Sequence, residues 1–560
     1  MVALLKMSLT SKLMGLGTFA SCLLFYYLLL DVDYPLRQPP VFDTLPTFPS
    51  SSYVEVVAEN ETSPLFGTMW PYRVFKSSPF NPPNFDYYDN GQELADGYII
   101  FTPQLRVDDG QKQSAPMIMD QQNELVYCLD LPGNGHNLRV QTIYGKPHLT
   151  LWNGVTIKDH GYGNLVILDH EYRQTVVKLN ATMDVGGVFE APGTMDFREQ
   201  EVTERDSVLL VAYNAVPYDL TPLGGPVDGW VADSLLYEVD IKTGEILFRW
   251  SAMEHFKVED SRIPLPNYQG DGTIERPYDY FHLNSMQVFT NDTYLICGRH
   301  FWSNYLISRT TGEVLWDLNG SGETLVGDFG RLPTAAQFRW QHHVRAHNIT
   351  ENGFRLSMFD NHNDEDDTDI TSSRALLFDV ALPPNSSIPP VLVHDLESVE
   401  DIFSQSQGGY EIGLSNGNQL VSYGPIPVIR EYGPTGDSSD LRWEGRFGFN
   451  NKAQSYRAYK QEWHATPKGW VPSLVLERDE DHQLHAYVSW NGATDIEAWK
   501  LFNVDRGTRM TAIGRAKKRG FETLIDVPSQ FNGTQCLQAA AIRNGQEVAH
   551  SNMACIFINI

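Results

Sequence analysis

From Gly97 onward the chain alternates apolar and polar residues in short runs closed by turn residues, as in GYIIFTPQ, ELVYCLDLPG, HLTLWNG and NLVILDHEY. A period of two sends successive side chains to opposite faces, so each run predicts a half-buried strand. Such runs recur roughly every ten residues, and windows of helical period are nearly absent. The pattern predicts an all-β protein.

Four of these runs repeat a larger unit. LYEVDIKTGEILFRW (236–250) and YLISRTTGEVLW (305–316) share a strand, a Thr-Gly turn and a strand ending in Trp. LVILDHEYRQTVVKL (165–179) and PVIREYGPTGDSSDLRWEGRF (427–447) are weaker echoes. A turn glycine supplies the positive φ that a tight hairpin needs. Repeated hairpins of this kind read either as propeller blades or as unrelated hairpins of a sandwich. YVSWNGATDIEAWKLFNVD (487–505) and GTQCLQAAAIRNGQEVAHS (533–551) have the rhythm of a fibronectin-III or immunoglobulin-like β-sandwich, which predicts a separate end domain.

Leu13–Leu30 breaks the alternation: 18 residues without a charge, after Lys6 and Lys12 and before Asp31 and Asp33. As a helix it is ~27 Å long, about one hydrocarbon core, and predicts one N-terminal transmembrane helix. A cleaved signal peptide and an uncleaved signal anchor both place the rest of the chain in the secretory lumen or outside. Bulky Tyr26, Tyr27 and Leu28 stand where a small-x-small cleavage pattern would be, which favours the anchor. A buried core helix is the remaining reading. The Pro-, Ser-, Phe- and Tyr-rich stretch that follows reads as a stalk and irregular lead-in.

Charge and sequons fit that compartment. The 42 basic and 70 acidic residues leave a net charge of −28, which argues against nucleic acid or another polyanion as partner. Seven N-x-S/T sequons begin at Asn60, Asn180, Asn291, Asn319, Asn348, Asn385 and Asn532 and suit a glycoprotein. Cys536 and Cys555 are placed to close a disulfide in an oxidising lumen; Cys128 and Cys297 are partners or buried thiols. No cysteine or histidine spacing indicates a structural zinc, and no metal site is expected. FDNHNDEDDTD (359–369) lacks the ligand order of a calcium loop and reads as a solvated acidic loop. No G-x-S-x-G, P-loop or dinucleotide fingerprint is present.

Eleven phrases in order carry a resemblance: DGYIIFTPQ, LTLWNG, GYGNLVILD, DGWVADSLLYEVDIKTGEILFRW, YDYFHLNSMQVF, YLICGRH, WQHHVR, MFDNH, SQSQGGYEIGLSNGNQLVSYG, SYRAYK and YVSWNGAT. Together they resemble the fungal branch of the arylsulfotransferase family over about residues 75 to 510. The resemblance implies a six-bladed β-propeller with a ligand site in its central channel. It implies transfer of a sulfuryl group between small phenolic compounds through a sulfated histidine, without a nucleotide donor or other cofactor. The expected division is therefore 1–33 cytosolic tail and signal anchor, 34–90 lead-in, 91–462 β-propeller and 463–560 β-sandwich.

The chemistry needs a nucleophile, a cationic cradle for the sulfuryl oxygens and a proton relay for the phenol. His342 in WQHHVR matches the sulfated histidine and is the expected nucleophile. His282 in FHLNS is expected as general acid or oxygen donor, with Asn284 orienting it. Arg299 in CGRH is the expected sulfuryl cradle, since a guanidinium offers a fixed fork of donors. His300 faces away from Arg299 if CGRH is a strand. Two positions depart from the family: Arg198 stands where the relatives carry histidine, and His343 where they carry aspartate after the nucleophile. Arg198, Asn284, His343 and His300 are the expected substrate-binding residues. The departures leave two further readings, a tailoring enzyme of other chemistry on an aromatic secondary metabolite, and a non-catalytic binding module. An acidic exterior around a basic pocket is the expected charge pattern.

Overall fold

The alternating runs fold into antiparallel strands, and the helical pieces among the described residues are single 3-10 turns. The computed structural model describes residues 45–57, 70–105, 115–129, 134–157, 159–181, 193–323, 327–364, 371–398, 400–450, 452–505, 509–531 and 536–556. The apolar segment Leu13–Leu30 and the sequons at Asn60 and Asn532 lie outside them. No helix among the described residues is long and apolar enough to cross a membrane.

Among the described residues six antiparallel sheets follow one another along the chain, five of four strands and the last of five. The second to sixth begin with Asn134–Ile143, Gln200–Val202, Leu283–Thr290, His342–Thr350 and Gly409–Glu411. The first is closed from far along the sequence: Ala458–Gln461 pairs with Tyr98–Phe101, which pairs with Met117–Met119 and then Leu125–Cys128. The first strands Ala458–Gln461, Asn134–Ile143 and Gln200–Val202 lie side by side, as do Leu283–Thr290, His342–Thr350 and Gly409–Glu411, and five of the six line one cavity on a common axis. The repeated hairpins of the sequence occupy one equivalent place, the third and fourth strands of the second, third, fourth and sixth sheets. Gly244 and Gly312 in their turns have φ of +73° and +78°. The tryptophans that end these strands tie sheets together. The Trp250 indole N–H donates to the carbonyl of the turn glycine Gly312 in the next sheet at 3.0 Å, and that of Trp443 donates to Gln121 of the first sheet at 3.1 Å.

The C-terminal part forms two further four-stranded paths, one holding Ser473–Arg478, Leu484–Ser489 and Glu522–Asp526, the other Ala498–Asp505, Arg509–Lys517 and Cys536–Arg543. Leu484, Val488 and Ile525 of the first share one buried cluster with Trp499, Leu501 and Leu537 of the second. Cys536 and Cys555 are bonded across this second sheet, whereas Cys128 and Cys297 are buried and form no disulfide. The expected irregular lead-in carries strands. Ser50–Tyr53 pairs with Glu522–Asp526 in the C-terminal part, and Asp86–Asp89 pairs with Leu441–Arg446 as a fifth strand of the sixth sheet. Backbone groups at two otherwise open sheet edges are thereby satisfied.

Among the described sequons, Asn180, Asn291, Asn348 and Asn385 are exposed. Asn319 is not: it is buried, and its amide donates to the Ser303 hydroxyl at 2.6 Å, so the expectation of a glycan there is corrected.

Candidate active site

Strand order explains why residues distant in sequence meet. The segment entering a sheet and the turn from its second to its third strand lie at the same end of the axis. Arg198 precedes Gln200–Val202, His282 precedes Leu283–Thr290, and His342 opens His342–Thr350. Arg299 and His300 follow Thr293–Gly298, and Asn361 follows Gly353–Asp360. All are buried.

Three imidazoles meet two guanidiniums there, and the hydrogen bonds fix every tautomer. His300 Nδ1 sits 2.5 Å from the Asp279 carbonyl oxygen, which only accepts, so Nδ1 carries the proton and Nε2 accepts from Arg299 at 2.7 Å. His282 Nδ1 donates to the Asp279 carboxylate at 2.6 Å, and its Nε2 accepts from Arg198 Nε at 3.1 Å. His342 Nδ1 faces the Asn361 side-chain oxygen at 2.6 Å. That amide is oriented because its nitrogen donates to the Ser404 and Gln407 carbonyls. His342 Nε2 therefore holds a lone pair, and it accepts from the Gln407 backbone N–H at 3.2 Å. All three rings are neutral bases aimed inward through Nε2. Burial, joined by the nearby arginines, pushes each imidazole well below its ordinary pKa.

This corrects the expected role of His282: its proton is held on Nδ1 by Asp279, so Nε2 is poised as a base and not as an acid. Asn284 does not orient His282; its amide donates to the Gln341 carbonyl at 2.8 Å and so holds the backbone next to His342. His300 is not on the far face of a strand. Arg299–Phe301 is a 3-10 turn, which brings Arg299 and His300 to the same end of the axis. The φ of +58° at His282 and +59° at Gln407 are strained backbone held by these contacts.

The cradle is paired rather than freely basic. Arg198 binds Asp196 at 2.8 Å, and Arg299 binds Asp364 at 3.0 Å and the Gln405 carbonyl at 2.9 Å. Asp364, Asn361 and the buried Asp360 belong to the stretch expected as a solvated acidic loop, so its first part is instead a wall of the site. The expected basic inversion is correspondingly small. Asp279, His282 and His300 also bring three metal-ligating groups within 4.8 Å. Both rings, however, present protonated Nδ1 to Asp279 and share their only lone pairs with guanidiniums, a donor set that suits an anion better than a cation.

His343 parts company with His342. A bulge in its pairing falls between His342 and Arg345, and His343 takes a φ of +52°. Its Nδ1 accepts from the Tyr410 N–H at 3.0 Å, and its ring lines a cavity of about 520 Å³ at the other end of the axis. Between the two ends lies a hub that the motifs did not reveal. Glu199 binds Arg139, Arg345 and Arg457 at 3.1, 2.7 and 2.9 Å. Burial opposes its ionisation, yet the three guanidiniums hold its carboxyl down at about 2. Asp279, Asn361, Asp364, Glu199 and Gln407 were also missed; all but Glu199 lie inside or beside the quoted phrases YDYFHLNSMQVF, MFDNH and SQSQGGYEIGLSNGNQLVSYG.

The comparison with family models agrees with the phrases. No curated protein matches the chain. A solved streptogramin B lyase covers 72% of this chain and 94% of its own at 11% identity and a TM-score of 0.29. The apo form of AztD from Citrobacter koseri covers 82% and 98% at 8% identity and 0.24. A protein of unknown function from Bacteroides caccae covers 57% and 89% at 10% identity and 0.20. The model of the arylsulfotransferase (ASST) family matches residues 139–448, more than half of the sequence and the span that holds every member of the histidine cluster. The chain belongs to the arylsulfotransferase family.

Proposed function

We propose that the protein transfers a sulfuryl group from an aryl sulfate to a phenol through His342, at the axis of a six-bladed β-propeller that carries a C-terminal β-sandwich. The observation that carries this reading is that His282 and His300 present Nε2 to the Arg198 and Arg299 guanidiniums beside His342, whose ring lies 6.4 Å from that of His282.

In the first half, His342 Nε2 attacks sulfur, an N–S bond forms, and the S–O bond to the ring breaks. The phenolate leaves, and the sulfuryl oxygens take the donors of Arg198 and Arg299, which exchange their imidazole contacts for the anion. The proton of the sulfated ring stays on Nδ1 and is donated to the Asn361 side-chain oxygen. In the second half, an acceptor phenol attacks sulfur while His282 Nε2 takes its proton. The new S–O bond forms as the N–S bond breaks, His342 is restored, and His282 releases the proton to solvent. No redox partner or cofactor enters the balance. Entry requires the Gln407 N–H to leave His342 Nε2.

A secretory compartment fits this proposal: the Cys536–Cys555 bond and the four exposed sequons support it. The apolar N-terminal segment is then its membrane anchor.

The test is incubation of the protein with 4-nitrophenyl sulfate and a phenol. Nitrophenolate release and a sulfated acceptor are expected from the wild type and from neither in His342→Ala. Release that survives the substitution removes His342 as nucleophile. Binding of the aryl sulfate without release favours a binding module over an enzyme.

A further inference from the structure

The cavity at the opposite end of the axis is unused by the proposed transfer. Its volume of about 520 Å³ is in the range that holds a small organic ligand. Its walls come from the far ends of five first strands, so it is separated from the histidine cluster by the Glu199 hub.

Three groups in it have hydrogen-bonding capacity to spare. Arg139 spends only Nη2 on protein acceptors, Glu199, the Gln200 carbonyl and Glu201, while its plane lies 5.6 Å over the Tyr459 ring. His343 accepts a backbone N–H at Nδ1, so its neutral ring carries the proton on Nε2, which makes no hydrogen bond. The Tyr459 hydroxyl is buried beside the Arg457 guanidinium and makes no hydrogen bond of full geometry among the described residues. An unmade bond of this kind is costly in a closed protein and is relieved by a ligand or ordered water. Arg139, Arg345 and Arg457 face Glu199 and Glu201, and Glu204, Asp206 and Glu411 also line the cavity, so an anion is recognised here by the local donors of Arg139 and His343 and not by a surplus of positive charge. Beside these donors, Ile412 gives an apolar wall.

We propose that this cavity is a second ligand site, for an organic monoanion in which a carboxylate is joined to a flat apolar body. The carboxylate faces Arg139, His343 Nε2–H and the Tyr459 hydroxyl, and the ring lies against Ile412. The site is independent of the sulfuryl chemistry and would stand if that reading failed.

Titration calorimetry of the whole protein at pH 6.5 with benzoate, and with neutral benzamide, tests it. Saturable one-to-one binding of benzoate is expected, with benzamide at least tenfold weaker. Ile412→Trp fills the cavity and should abolish binding, and Tyr459→Phe, which keeps the ring, should weaken it several-fold. His342→Ala should leave the benzoate Kd within twofold. No saturation by the wild type, equal binding of benzamide, or binding lost in His342→Ala but kept in Ile412→Trp would each overturn the proposal.

Discussion

Arg198 donates its Nε–H to Nε2 of His282 at 3.1 Å while its Nη1 binds Asp196 at 2.8 Å. The guanidinium thus occupies the lone pair that makes His282 a base, and holds it until an anion draws the arginine away. Burial and this guanidinium, with Arg299 beside it, hold the imidazole well below its ordinary pKa. Arg198→Lys keeps a cation against Asp196 but loses the fork. The His282 pKa should rise in the variant, read by its ring-proton shifts against pH. Transfer should fall by about 10²- to 10³-fold, as for loss of one preorganised oxyanion donor. An unchanged rate would place the sulfuryl group away from Arg198.

Asn361 sets the tautomer of His342, and it does so because its own amide is tied to two carbonyls. Asn361→Ala frees the ring to place its proton on either nitrogen. Nucleophilic attack should then slow by about tenfold or more, since part of the population presents N–H to sulfur. Asn361→Asp puts a carboxylate on Nδ1–H and should raise the His342 pKa by about one unit or more. Nitrogen chemical shifts of the ring check both outcomes.

The sequence made the strands legible, because period-two alternation is a local property. It also placed four hairpins in equivalent positions, because the Thr-Gly turn and the closing Trp recur. His342, His282 and Arg299 were nameable through family phrases. Their partners were not. Asp279, Asn361 and Glu199 acquire meaning only from residues brought in by other sheets, as Glu199 and Arg457 do across 258 positions of sequence. The Arg299–His300 arrangement was hidden for a different reason: CGRH reads as the end of a strand, and only the 3-10 turn brings the two side chains together. The −28 charge led to an expected basic pocket, but buried arginines need partners, and Asp196, Asp364 and Glu199 supply them.

Stability should fall in mild acid. His282, His300, His342 and His343 all have folded pKa values depressed below that of the unfolded chain. Below pH 6.5 the unfolded chain binds protons that the folded one refuses, so each buried histidine removes about 1.4 kcal/mol per pH unit until its folded pKa is reached. Glu411 works in the opposite sense. Burial raises its carboxyl to about 7, so the folded protein takes up that proton first and gains stability as pH falls from 7 toward 4.5. Urea midpoints at pH 5 should lie well below those at pH 7.5. Glu411→Gln should be more stable than wild type at pH 8, by on the order of 1–3 kcal/mol, and lose that advantage at pH 4. The chemical step should keep its rate at pH 6, because His342 stays unprotonated there.

The cap on the nucleophile can be moved from a neighbouring residue. Gly408 has a φ of +94°, a conformation that a side chain strains, and a Cβ there would meet the Phe359 ring at 2.5 Å and the Ser422 carbonyl oxygen at 2.9 Å. Both neighbours are buried and packed, so the backbone of 407–408 must give way. Gly408→Ala should therefore draw the Gln407 N–H off His342 Nε2 and destabilise the fold by about 1–3 kcal/mol. Diethyl pyrocarbonate, which acylates an unprotonated imidazole, should modify His342 slowly in the wild type and several-fold faster in the variant, followed by peptide mass spectrometry. Equal rates would mean that the 405–408 segment is not what shields the nucleophile, and that substrate enters past another wall of the site.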